Sequence, residues 1–138
     1  MSMQRQFLRL FGIGLGLVLL TLGACGGQTL SPKFQPEITN VTDNFQFQAT
    51  AMTNVSQTLT YTWQNTGTIA NVNQASSVTG GSAQVLIRDA QATPVYTSNL
   101  ANNGTFVTNA GTTGAWTIEV SLSGVNGAVN FRVQKHTP

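Results

Sequence analysis

Charge is what this chain has least of. Of its 138 residues, six are Lys or Arg and four are Asp or Glu, 7% in all, against roughly 25% in soluble proteins. Nucleic-acid binding by counterion release needs a basic face, and so few scattered cations do not supply one. There is one cysteine, which excludes an intramolecular disulfide and any multi-cysteine metal site. There is one histidine, His136, two residues from the end. A hydrolytic triad needs a His beside a Ser or Cys and an orienting acid, and zinc needs three or four N, S or O ligands. Neither set can be assembled here. Glu37, Asp43, Asp89 and Glu119 are scattered along the chain, and nothing in their spacing pairs two of them for glycoside hydrolysis. The sequence therefore names no catalytic residue, no metal site and no cofactor, and a non-enzymatic role is expected.

Long apolar runs are also scarce, and the one present is at the start. Met1–Arg9 carries two cations and no acid and leads into an apolar run, Leu10–Leu22. That is the layout of a secretory signal peptide. A spanning helix needs about 20 apolar residues, so cleavage is favoured over an uncleaved anchor. Next comes Leu22-Gly23-Ala24-Cys25, which resembles the lipobox of bacterial lipoproteins. The resemblance implies that the Cys25 thiolate takes a diacylglyceryl group and that a peptidase cuts before it, with Leu22, Gly23 and Ala24 as the cleavage motif. Two acyl chains are what stable anchoring requires. Gly26 stands where the family often has an Asp for inner-membrane retention, so outer-membrane delivery is expected if the host has two membranes. With no twin-arginine pair, export of an unfolded chain is expected.

The expected organisation is a signal peptide at 1–24, a lipidated Cys25 with a flexible tether over 25–36, and one β domain over 37–138. The tether is rich in Gly and Pro and reaches on the order of 35 Å when extended. After cleavage Lys33, Arg88, Arg132 and Lys135 balance Glu37, Asp43, Asp89 and Glu119. The exported domain is formally neutral.

From Asp43 onward the pattern is alternation with Gly and Asn punctuation, and no stretch has helical period. Phe45, Phe47 and Ala49 alternate with Gln46, Gln48 and Thr50; Leu59, Tyr61 and Trp63 alternate with threonines. Further strands are predicted at Thr68–Gln74, Ala83–Asp89, Pro94–Thr97, Gly104–Thr108, Ala115–Leu122 and Ala128–Lys135. About eight short strands predict an all-β antiparallel sandwich or jelly roll. Asn126-Gly127 lies between the last two, and a two-residue turn there would set Val120 opposite Val133 and Leu122 opposite Phe131. The same register would place Glu119 diagonal to Arg132 as a surface ion pair.

The run Val85-Leu86-Ile87-Arg88-Asp89, then Pro94-Val95-Tyr96, Gly104-Thr105-Phe106 and Gly114-Ala115-Trp116-Thr117-Ile118-Glu119-Val120, is similar to the second half of prepeptidase C-terminal and GOLD-type β-sandwiches. That resemblance implies a non-catalytic module. Asp89 with Asn99, Asn102 and Asn103 could present oxygens to calcium, but capping of turns is the better expectation. Tyr61, Trp63, Trp116 and Tyr96 could form a sugar platform, yet the first three share a face with Leu and Ile and read as core. The Thr58-x-Thr60-x-Thr62 ladder resembles ice-binding surfaces, and equally any solvent-facing strand. The expected function is an envelope lipoprotein displaying a binding module for a protein or glycan. A structural subunit of a surface assembly is the alternative, since uncharged strand edges permit self-association.

Overall fold

A computed structural model describes residues 34–138. The expected signal peptide at 1–24, its expected cleavage motif Leu22, Gly23 and Ala24, Cys25 and the expected tether up to residue 33 lie outside the described residues. Within the described residues the fold is all-β and antiparallel: β1 (Glu37–Val41), β2 (Asn44–Asn65), β3 (Ala70–Gln74), β4 (Ser77–Arg88), β5 (Pro94–Asn99), β6 (Gly104–Val107) and β7 (Gly114–Lys135). Phe34, assigned above to the tether, joins the core.

Two strands of 22 residues organise the domain. β2 and β7 pair from Asn44↔Gln134 to Asn65↔Gly114. Laid straight, such a ribbon would extend about 75 Å. Instead it folds back on itself: the rings of Phe45 and Tyr61, both on β2, lie 5.3 Å apart. The corner is made by successive bulges between Ala49 and Gln57, and bulges are how one strand passes from one layer to the other. Ala51 and Asn54 take positive φ on one strand, Gly124 and Gly127 on the other. Asn126 Oδ1 accepts the Asn54 N–H at 3.0 Å and Ser56 Oγ accepts that of Gly124 at 2.8 Å. Met52, Val55 and Val125 fill the inside of the bend.

Each half of the ribbon founds one layer. The first runs β1, the start of β2, the end of β7, β3 and β6; the second runs the end of β2, the start of β7, β4 and β5. Inward residues of the first are Phe45, Phe47, Ala49, Val129, Phe131, Val133 and Val72. Those of the second include Trp63, Trp116, Ile118, Val120, Val85 and Ile87, all buried. The sandwich expected from alternation is the fold observed.

The turn at Asn126-Gly127 is not. β7 runs through it without reversing. Val120 pairs with Leu59 and Val85, and Val133 with Phe45 and Val72. The alternation that suggested a hairpin is satisfied equally when each half pairs elsewhere, because period 2 specifies a face and not a partner. Four of the predicted short strands are thus two bent ones, Phe45–Ala49 and Leu59–Trp63 lying on β2 and Ala115–Leu122 and Ala128–Lys135 on β7, and β1 was not anticipated. Glu119 accordingly sits 3.9 Å from Arg88, while Arg132 Nη2 donates to Gln46 Oε1 at 3.2 Å.

Candidate functional site

The outer face of the first layer carries an array of side-chain amides. Strand alternation sends Phe45, Phe47, Phe131, Val133 and Val72 into the core, so the residues between them must face out. Register then aligns them across five strands. One row is Thr39, Gln46, Arg132, Asn73 and Thr105; the next is Val41, Asn44, Gln134, Asn71 and Val107; Glu37, Gln48 and Asn130 form a third. Neighbouring groups bond along the face: Gln46 Nε2 to Asn130 Oδ1 at 3.4 Å, and Thr105 Oγ1 to Asn73 Oδ1 at 2.7 Å.

Two depressions open on this face. One of about 220 Å³ is lined by Gln46, Asn73, Ala75, Asn130 and Arg132. The other, about 430 Å³, is lined by Asp43, Asn71, Gln134, Lys135 and Thr137. Arg132 and Gln134 are two positions apart on β7, so the depressions lie roughly 7 Å apart along the strand. Their cations differ. Lys135 Nζ is 3.8 Å from Asp43 Oδ2, whereas Arg132 has no ion pair among the described residues. Asp43 ties the β1–β2 turn to the segment after β2: its oxygens accept the Thr66 N–H at 2.7 Å and the Thr66 hydroxyl at 2.8 Å. The Thr66 amide, chiefly, holds its carboxyl below the ordinary range. His136 Nδ1 lies 2.8 Å from Asn71 Oδ1.

The residues considered for calcium hold loops together. Asp89 is buried after β4, and its carboxylate accepts N–H groups of Thr112 at 2.7 Å, Thr93 at 2.8 Å and Gln91 at 2.9 Å. Asn99 Oδ1 accepts the Ala101 N–H, and Asn103 brackets the backbone of Ser76. No group of three metal-ligating side chains occurs among the described residues. The Thr112 amide first, then that of Thr93, pulls the Asp89 pKa down. A depressed carboxylate contributes stability above its unfolded pKa and loses it as the pH falls through the folded value. Acid unfolding is therefore expected to flatten in Asp89→Asn, whose NH₂ would face a backbone donor. At neutral pH this variant should also have a lower denaturation midpoint. Parallel acid limbs for variant and parent, measured by urea midpoints across pH, would remove Asp89 from that role.

Trp63 and Trp116 are fully buried and meet edge to face at 5.9 Å. Tyr61 and Tyr96 are half-buried, and the Tyr96 hydroxyl donates to the buried Gln74 side chain at 2.8 Å. The two indoles are core, and the two tyrosines pack against it with one side still exposed. The amide face was missed from sequence, although its signal is visible as Gln46-Phe47-Gln48, Asn71-Val72-Asn73 and Asn130-Phe131-Arg132-Val133-Gln134. What sequence lacked was the knowledge that β3 and β2 flank the same half of β7.

The chain matches no protein-family model and no curated protein. Among solved structures it is similar to a chain in the structure of infectious bursal disease virus, Gt strain, at 13% identity and a TM-score of 0.29. The match covers 86% of this chain and 34% of that one, so this chain spans about a third of the viral chain's length.

Proposed function

We propose that this protein is an envelope lipoprotein, anchored to the membrane through a lipid on Cys25, whose β-sandwich is a non-catalytic module that binds an acidic glycan on the amide face. The observation that carries the binding reading is a guanidinium, Arg132, that has no ion pair among the described residues and is set among side-chain amides on a five-stranded face. Amides donate and accept at once, which suits sugar hydroxyls. A guanidinium fork suits a carboxylate. The signal segment and lipobox support the anchoring reading. A second reading, a subunit of a surface assembly, draws on the open edge of β2.

The test measures both halves. Mass spectrometry of the membrane-extracted protein should find a chain beginning at a diacylated Cys25; a full-length chain with a free thiol overturns the anchor. Calorimetric titration with polygalacturonate should give binding that dextran does not match. Arg132→Ala should weaken it about tenfold to a hundredfold, the range of one charge-assisted hydrogen-bonded contact. Equal binding by parent and variant, or none to either polymer, overturns the glycan reading. Calorimetry is preferred to tryptophan fluorescence because both indoles are enclosed.

A further inference from the structure

We propose that the edge of β2 between Thr58 and Thr62 pairs, antiparallel and about a two-fold axis at Thr60, with the same segment of a second copy of this chain. This stands on the backbone and is independent of the glycan reading.

Among the described residues, β2 is covered by β1 only over Asn44–Gln48, and over Gln57–Asn65 it pairs with β7 alone. In an antiparallel ladder alternate residues turn their N–H and C=O to the same side. Gln64 O accepts the Asp43 N–H, and Thr62 O accepts Asn40 Nδ2, so the even-numbered residues face away from β7. The main-chain groups of Thr58 and Thr60 thus form an unpaired row among the described residues. The other outer strands are blunted: β5 begins with Pro94 and has six residues, β6 has four, and β1 has five and follows Pro36. Short edges, proline and charge are the usual guards against strand addition. The segment Gln57-Thr58-Leu59-Thr60-Tyr61-Thr62-Trp63-Gln64-Asn65 has no charge, no proline and no glycine.

A second copy is the occupant because the segment complements itself. Centring on Thr60 sets Thr60 against Thr60, with N–H and C=O groups paired both ways, and Thr58 against Thr62, whose carbonyl would accept on its second lone pair beside the bond from Asn40 Nδ2. Leu59 then meets Tyr61 of the second copy. These two inward residues are left half-exposed at the open edge, whereas Trp63 on the same face is fully buried. Pairing covers them and brings no like charges together. Beyond Thr62 a groove of about 480 Å³, lined by Asn40, Val41, Thr42, Thr62 and Gln64, lies where Ser56 of the second copy would arrive. Val41 there is 57% exposed.

Sedimentation of the full-length protein in detergent should show a concentration-dependent monomer–dimer equilibrium. Thr60→Glu opposes two carboxylates on the axis and should raise the dimer dissociation constant about tenfold or more, with an unchanged circular dichroism spectrum because the Thr60 side chain is exposed. In a Cys25→Ser background, Thr60→Cys should form a disulfide-linked dimer under mild oxidation, since a hydrogen-bonded pair sets the Cα atoms about 5.5 Å apart. Thr97→Cys, on the outer strand β5 of the same layer, should not. A strictly monomeric chain, a dimer indifferent to Thr60→Glu, or equal cross-linking at both positions overturns the proposal.

Discussion

Gly127→Ala is expected to destabilise the domain by about 3 kcal/mol or more, a large share of the roughly 5–15 kcal/mol that holds a domain together. Two costs add. Gly127 has φ of 107°, outside the comfortable range of any L side chain, and such strain costs on the order of 1–3 kcal/mol. A Cβ there would also overlap the Ser77 carbonyl oxygen on β4, and overpacking costs about 1–3 kcal/mol more. Backbone cannot swing aside as a side chain can, because Ser77 and Val78 are paired to Ala128 and Gly127. Gly124→Ala is the control. Its φ is 59° and the nearest atom to a new Cβ would be Asn54 Oδ1 at 3.5 Å, so it should lose only about 1–2 kcal/mol. Urea denaturation of both variants decides the matter. Equal losses would mean that Gly127 sits in an open turn and that the β4 contact is wrong.

Trp63→Ala and Trp116→Ala should each cost about 3–5 kcal/mol, the usual range for emptying an indole-sized space in a core. Both rings are fully buried, and each also carries a tie at the rim of the sandwich: Trp63 Nε1 donates to Val41 O at 3.1 Å and Trp116 Nε1 to Thr112 O at 2.7 Å. Thr112 in turn supplies the amide that bonds Asp89. The ring contact itself adds about 0.5–1.5 kcal/mol, so the double variant should lose less than the sum of the singles. A double-mutant cycle on denaturation free energies measures this, and strict additivity would show that the rings do not interact. In the parent, tryptophan emission should resist acrylamide quenching; ready quenching would put an indole on the surface.

Much of this was legible in the chain because alternation is local. Phe45, Phe47, Trp63, Trp116, Ile118 and Val133 were assigned inward from period 2 alone, and all are fully buried. Asp89 and Asn99 were expected to cap turns, and they do. Pairing was another matter. Asn126-Gly127 has the composition of a hairpin turn, yet Gly127 is there because β4 crosses closely and Asn126 because its side chain bonds across the bend to Asn54. The same two residue types serve either purpose, and choosing between them requires the position of β4.

By itself the sequence determined the class of the fold, the inward and outward faces of the segments that form β2 and β7, and the scarcity of charge that leaves amides and threonines to cover the surface. Those follow from side-chain chemistry and a two-residue repeat. Tertiary structure decided which strands are neighbours, that β2 and β7 bend through both layers, and that, among the described residues, Arg132 stands without a carboxylate and Thr58 and Thr60 keep an open edge. Each of these depends on contacts between residues far apart in the chain, and a periodic pattern carries no record of which distant segment will complete it.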